Sequence, residues 1–231
     1  MADQPTSPLP DARPLWCFVT DRHRIAGGTD RGSPGLVALV ESAARAGVPL
    51  IQVRERDLDA GALATLVRAC VRAVSGLGAR ILVNDRADVA LACGAHGVHL
   101  RADGVPTARV RRLAPPEFLI GRSVHTPAEA AAGSGGGADY LIAGTVLPTA
   151  SKPGASHYLG FEGLRSVARA SSVPVLAIGG MTRASIADVG RAGAAGVAAI
   201  GLFCEGGAQA THLAAMLRES RLVFDTLRRV S

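Results

Sequence analysis

From Leu15 onward the chain repeats one unit: a short apolar run, a polar or Gly-containing loop, and an alanine-rich stretch whose apolar residues recur at three and four. Eight apolar runs follow one another, at 15–20, 50–54, 80–84, 97–100, 118–123, 140–144, 175–178 and 197–200. Their hydrophobicity is continuous, the mark of parallel strands covered by other elements. The stretches between, such as 36–46, 60–74, 186–192 and 211–228, carry Arg, Asp and Glu on their outer faces. Gly47, Gly94, Gly137 and Gly193 each stand where a helix would end in a left-handed cap before the next strand. Alternation of this kind predicts an α/β fold, a (β/α)8 TIM barrel with a closed parallel sheet. An open doubly wound sheet is the alternative. It would show a Gly-rich dinucleotide fingerprint after its first strand, where Thr20-Asp21-Arg22-His23-Arg24 stands instead. Residues 15–231 are expected to form one barrel domain behind a disordered leader, residues 1–14, in which Pro5, Pro8, Pro10 and Pro14 alternate with polar residues.

Charge narrows the class of partner. The formal net charge is +6, and of 25 Lys plus Arg residues only Lys152 is lysine, leaving 24 arginines. The arginines are scattered and only eight aromatics are present, which argues against nucleic acid and for a small anionic, phosphorylated ligand. Cys17, Cys70, Cys93 and Cys204 form no CxxC pair and read as small buried hydrophobes in a reducing compartment. No apolar run has the length of a membrane span and the leader lacks a signal-peptide core, so a cytoplasmic location is expected, with no membrane partner. Apolar helix faces left exposed would point to a homodimer.

In such a barrel the chemistry lies at the C-terminal ends of the strands. Gln52, Arg54 and Arg56 share one side of strand two by period two and suit a polar anion; pairing of an arginine with Glu55 or Asp57 is the alternative. After strand three, Asn84 and Asp85 read as oxygen ligands for magnesium or as a helix cap. His99 is expected to be a satisfied wall residue. Ser123 and His125 close the cluster Gly121-Arg122-Ser123-Val124-His125, where His125 reads as a proton-transfer group or as a donor to a loop carbonyl. Thr149, Ser151 and the lone Lys152, set between Pro148 and Pro153, suit phosphate recognition, as do Gly179, Gly180 and Gly201 after strands seven and eight.

These motifs, in this order, resemble the thiamine phosphate synthase superfamily, which holds the synthases and the related thiazole tautomerases. The resemblance runs from about Leu15 to Phe203 and rests on Gln52-Val53-Arg54-Glu55-Arg56, Asn84-Asp85-Arg86-Ala87-Asp88, Gly97-Val98-His99-Leu100, Pro148-Thr149-Ala150-Ser151-Lys152 and Ala177-Ile178-Gly179-Gly180. It implies that Gly179, Gly180, Gly201, Thr149 and Ser151 hold a thiazole phosphate, and that Gln52, Arg54, Asn84, Ser123 and Lys152 contact a pyrimidine diphosphate. Two departures stand out. Arg56 occupies a position where the synthases usually have lysine, and the usual Gly-Gln-Glu-Asp after strand four is replaced by Arg101-Ala102-Asp103-Gly104. The second leaves Asp85 as the one assured magnesium ligand, with Asp103 as a substitute for the other. Because the strand-five cluster resembles the tautomerase motif, the expectation is a metal-independent thiazole tautomerase with His125 as acid and base and no cofactor. The alternatives are a magnesium-dependent synthase and a barrel that binds ligand without catalysis.

Overall fold

The computed structural model describes residues 9–10, 13–25, 32–149, 157–204 and 210–230. Most of the expected leader therefore lies outside the described residues. The chain runs β1 (Leu15–Val19), α1 (Gly32–Arg45), β2 (Leu50–Val53), α2 (Ala60–Ala73), β3 (Arg80–Asn84), α3 (Ala87–Ala92), β4 (Gly97–Leu100), α4 (Thr107–Arg111), β5 (Leu119–Val124), α5 (Pro127–Gly135), β6 (Tyr140–Ala143), α6 (Gly160–Ala170), β7 (Val175–Ile178), α7 (Ile186–Arg191), β8 (Gly196–Ala199), α8 (Gly201–Cys204) and α9 (Ala210–Val230). Neighbouring strands pair in parallel and β1 closes on β8, so the sheet is a barrel and the open-sheet alternative falls. Strand ends differ from the periodicity by one residue in places: Phe118 belongs to the turn before β5, its amide on the Pro115 carbonyl, and β8 begins at Gly196.

The barrel closes because each strand has two apolar faces with different tasks. Leu15, Cys17, Leu50, Leu82, Leu119, Tyr140, Leu176 and Ala198 fill the lumen. Trp16, Phe18, Ile51, Val53, Ile81 and Val83 point outward into the helix layer. Each such side chain contributes about 1.5–3 kcal/mol when fully buried. The helices answer with one apolar stripe. In α2, Leu63, Leu66, Val67 and Cys70 are buried, and the Asp59 carboxylate caps the first turn by accepting from the Ala62 amide at 2.8 Å. All four expected cap glycines, Gly47, Gly94, Gly137 and Gly193, have positive φ (95°, 65°, 89° and 82°). All four cysteines are buried and free, and burial pushes the Cys17 and Cys70 thiols up to about 12, so they pack as apolar groups. Among the described residues no helix is long and apolar enough to cross a membrane.

Candidate active site

Toward the C-terminal ends of the strands the lumen turns from leucine to polar side chains, and there a cavity of about 910 Å3 opens. Gln52, Arg54, Arg56, Asn84, Asp103, Ser123, His125, Thr149, Gly179, Gly180 and Gly201 all line it. Ser151 and Lys152 lie outside the described residues. Asp85 lines a smaller adjoining cavity of about 220 Å3, shared with Arg56, Asn84 and Arg101.

The strand-two arginines are held ready by their neighbours. Glu55 is buried; it accepts from the Thr20 hydroxyl at 2.6 Å and from the Arg22 guanidinium at 3.0 Å. Asp57 also pairs with Arg22, at 2.7 Å. Both carboxylates of the rim-pair alternative, Glu55 and Asp57, are thus engaged by Arg22. Among the described residues neither arginine makes a carboxylate ion pair, contrary to the rim-pair alternative. Burial, and then the nearby Arg56, lower the Arg54 pKa, yet a guanidinium remains protonated. An unneutralised, partly desolvated cation beside a cavity is a site for an anion. Gln52 donates to the Asn84 side-chain carbonyl at 3.1 Å, which holds both amides at the mouth.

Ser123 belongs to a buried chain of hydrogen bonds. His99 Nε2 lies 2.9 Å from Ser123 Oγ, and Nδ1 lies 3.1 Å from the Tyr140 hydroxyl. A buried phenol donates its proton, so Tyr140 donates to Nδ1 and the imidazole carries its hydrogen on Nε2. That hydrogen goes to Ser123 Oγ, leaving the serine hydroxyl free to donate into the cavity. Burial, reinforced by Arg122 and Arg54, pushes His99 from 6.5 down to about 3. His99 is therefore the neutral wall residue expected.

The shift has a consequence for stability. Between pH 6.5 and about 3 the unfolded chain binds the His99 proton and the folded chain does not, so this group lowers stability as pH falls through that window and is neutral above it. The slope is up to about 1.4 kcal/mol per pH unit. In urea unfolding, the stability advantage of wild type over His99→Gln is expected to shrink by about 1–2 kcal/mol between pH 7 and pH 5. A constant difference would show that His99 titrates normally.

At the turn from β5 to α5, Thr126 caps the helix by accepting from the Glu129 amide at 3.1 Å, and the Glu129 carboxylate reaches back to the His125 amide at 2.6 Å. His125 Nδ1 is hydrogen-bonded to the Gly144 carbonyl, the second of its two expected roles. A carbonyl only accepts, so neutral His125 carries its lone pair on Nε2. Asp85 sits at φ +60°, and α3 is capped by Arg86 without a side-chain bond, so Asp85 is not a helix cap. Its Oδ1 lies 3.5 Å from the Arg101 amide. Asp103 is paired with Arg101 at 2.7 Å, and among the described residues no three acidic, His or Cys groups stand together as a metal site. One carboxylate completed by ligand phosphate oxygens and water is still a donor set that magnesium accepts. Gly179 (φ 100°) and Gly180 (φ 66°) let β7 turn tightly under the loop after β6: a Cβ on Gly180 would fall 2.5 Å from the Pro148 carbonyl.

Two supporting residues escaped the sequence: Thr20, which holds Glu55 away from Arg54, and Tyr140, which orients His99. Tyr140 lies on β6 and Thr20 directly follows β1, where the rule applied to the other strand ends would have found it.

The model of the family described as thiamine monophosphate synthase matches residues 16–203. A putative thiamine-phosphate synthase of Geobacter sulfurreducens is 45% identical over 183 residues, 79% of this chain and 83% of the relative. A thiamine-phosphate synthase of Roseiflexus castenholzii is 40% identical over 193 residues, 84% of this chain and 82% of the relative. The solved structure of a thiamine phosphate pyrophosphorylase from Pyrococcus furiosus superimposes with a TM-score of 0.74 at 29% identity, covering 93% of this chain and 98% of that one. These relatives correct the tautomerase expectation, since the names they carry are those of synthases. The strand-five cluster that suggested it has packing reasons of its own. Gly121 makes room for Tyr140, Arg122 donates to the Val105 and Ala102 carbonyls, Ser123 meets His99, and His125 meets Gly144.

Proposed function

This chain belongs to the thiamine monophosphate synthase family, and we propose that it is a transferase joining a pyrimidine diphosphate to a thiazole phosphate. The observation that carries this reading is the mouth of the cavity, where Arg54 and Arg56 make no carboxylate ion pair among the described residues, Glu55 and Asp57 both being engaged by Arg22. A volume of about 910 Å3 is at the upper end for small-molecule sites, as two substrates bound together require.

In the reaction the bond between the pyrimidine methylene carbon and the diphosphate oxygen breaks, and its electron pair leaves with the diphosphate. The lone pair of the thiazole nitrogen then forms the new carbon–nitrogen bond. Arg54 and Arg56 neutralise the charge that develops on the leaving group, which is where an electrostatic site accelerates most. Gln52, Asn84 and the Ser123 hydroxyl orient the pyrimidine half. Thr149 and Ser151, with the backbone at Gly179, Gly180 and Gly201, hold the thiazole phosphate, and Lys152 adds a compact ammonium to the site's charge. Asp85 is the residue that would hold magnesium, which when bound adds positive charge to the departing diphosphate.

Purified protein given both substrates and millimolar magnesium is expected to release one diphosphate for each thiamine phosphate formed, followed by chromatography of the product. Binding of both substrates without any coupling would overturn the transferase reading in favour of a barrel that only binds ligand.

A further inference from the structure

We infer that Arg101 binds the substrate diphosphate and that Asp103 is its counter-ion in the free protein, so that the loop after β4 supplies a guanidinium where it supplies no second metal ligand. The inference rests on the transferase reading of the same cavity.

Position 104 faces Asp85: a Cβ built on Gly104 would fall 2.9 Å from Asp85 Oδ1, against the movable end of a side chain. With glycine there, what Asp85 meets is backbone, the Arg101 amide at 3.5 Å. A cation held by Asp85 would take its remaining ligands from the diphosphate and water, a weak site for a metal alone. The positive charge that the loop does offer is Arg101, which lines both the large cavity and the smaller one beside it.

The cations around the smaller cavity are not equivalent. Arg86 is engaged by both Asp88 oxygens, at 2.8 and 2.6 Å. Arg101 has one contact, Nη2 to Asp103 Oδ2 at 2.7 Å, between side chains that are 55% and 71% exposed. An exposed single-contact pair is held weakly. A diphosphate brings several negative oxygens and can engage the fork of a guanidinium at two points. Exchange of Asp103 for diphosphate therefore runs downhill, while Arg86 stays with its partner. Arg56 lines the same two cavities and has no ion-pair partner among the described residues, so the bound anion would lie between Arg56 and Arg101.

The test is calorimetric titration of inorganic diphosphate into the intact protein with the metal chelated. Wild type is expected to bind, Arg101→Gln to bind about tenfold more weakly, and Asp103→Asn about threefold more tightly. Gly104→Asp is expected to weaken metal-free binding and to tighten Mn2+ binding, read by electron paramagnetic resonance, about tenfold. Diphosphate affinity within twofold of wild type in Arg101→Gln overturns the inference, as does unchanged Mn2+ affinity in Gly104→Asp. Thermal melts of the variants check that the fold is kept. If wild type binds diphosphate through Arg101 yet never couples the substrates, the transferase reading fails and the Arg101 site stands. If it couples them with Arg101→Gln unimpaired, the reverse holds.

Discussion

Gly121→Ala is expected to destabilise the barrel by about 4 kcal/mol, from overpacking and from the loss of a buried hydrogen bond together. Gly121 lies in register between His99 of β4 and Tyr140 of β6. All three residues point into the lumen, and the tyrosine ring crosses over the glycine to reach the histidine, with ring centroids 5.6 Å apart. A Cβ on residue 121 would stand 2.1 Å from Tyr140 Cζ and 2.3 Å from its hydroxyl oxygen. Both partners are buried, at 0% and 3% exposure, so the ring has nowhere to retreat. Displacing it leaves His99 Nδ1 and the phenol unpaired inside the barrel. In a chain of this size the thermal midpoint should fall by roughly 8–16 °C. Tyr140→Leu removes the obstructing atoms, so Gly121→Ala added to Tyr140→Leu should cost far less than it does alone. A loss below about 1 kcal/mol for Gly121→Ala by itself would show that the lumen yields.

The same triad shows why the barrel was legible in the sequence and part of the site was not. Eight continuous apolar runs separated by amphipathic stretches admit few architectures, and cap glycines at four joints mark where α1, α3, α5 and α7 stop. Those signals are local. The meaning of Gly121 is not local, because it depends on a ring from the next strand and an imidazole from the previous one. Read along the chain, Gly121-Arg122-Ser123-Val124-His125 is a dense polar cluster and looks like chemistry. Placed in the barrel, its members are occupied with Tyr140, two loop carbonyls, His99 and Gly144. The tautomerase expectation arose from that gap. Asp103 shows the same effect: read in the motif as a stand-in metal ligand, its carboxylate accepts from the guanidinium of Arg101, two residues away. Gln52, Arg54 and Arg56 do line one cavity, although β2 ends at Val53 and the two arginines follow it in the loop, where strand alternation no longer sets side-chain direction.

Arg54→Met is expected to lower kcat/KM for substrate coupling by about 10^2–10^3, or about 3–4 kcal/mol of transition-state stabilisation, while leaving the protein as stable as wild type or more so. The two effects have one cause. Arg54 is partly desolvated and beside Arg56, which lowers its pKa, and among the described residues it makes no ion pair, since Thr20 and Arg22 hold Glu55. Folding therefore bears the burial of a cation that Asp21 and Glu55 compensate only in part, and the diphosphate supplies further negative charge. Methionine keeps the aliphatic stem that packs at the end of β2 and removes the charge, so the free protein should gain up to about 1 kcal/mol. Saturating diphosphate should then raise the melting temperature of wild type more than that of the variant, by mass action on the folded state. Arg54→Lys keeps the charge but loses the planar fork, and should recover only part of the rate. Parallel loss of stability and activity in Arg54→Met would make the residue structural. Full activity with raised stability would place the leaving group elsewhere, on Arg56 and the residues after β4.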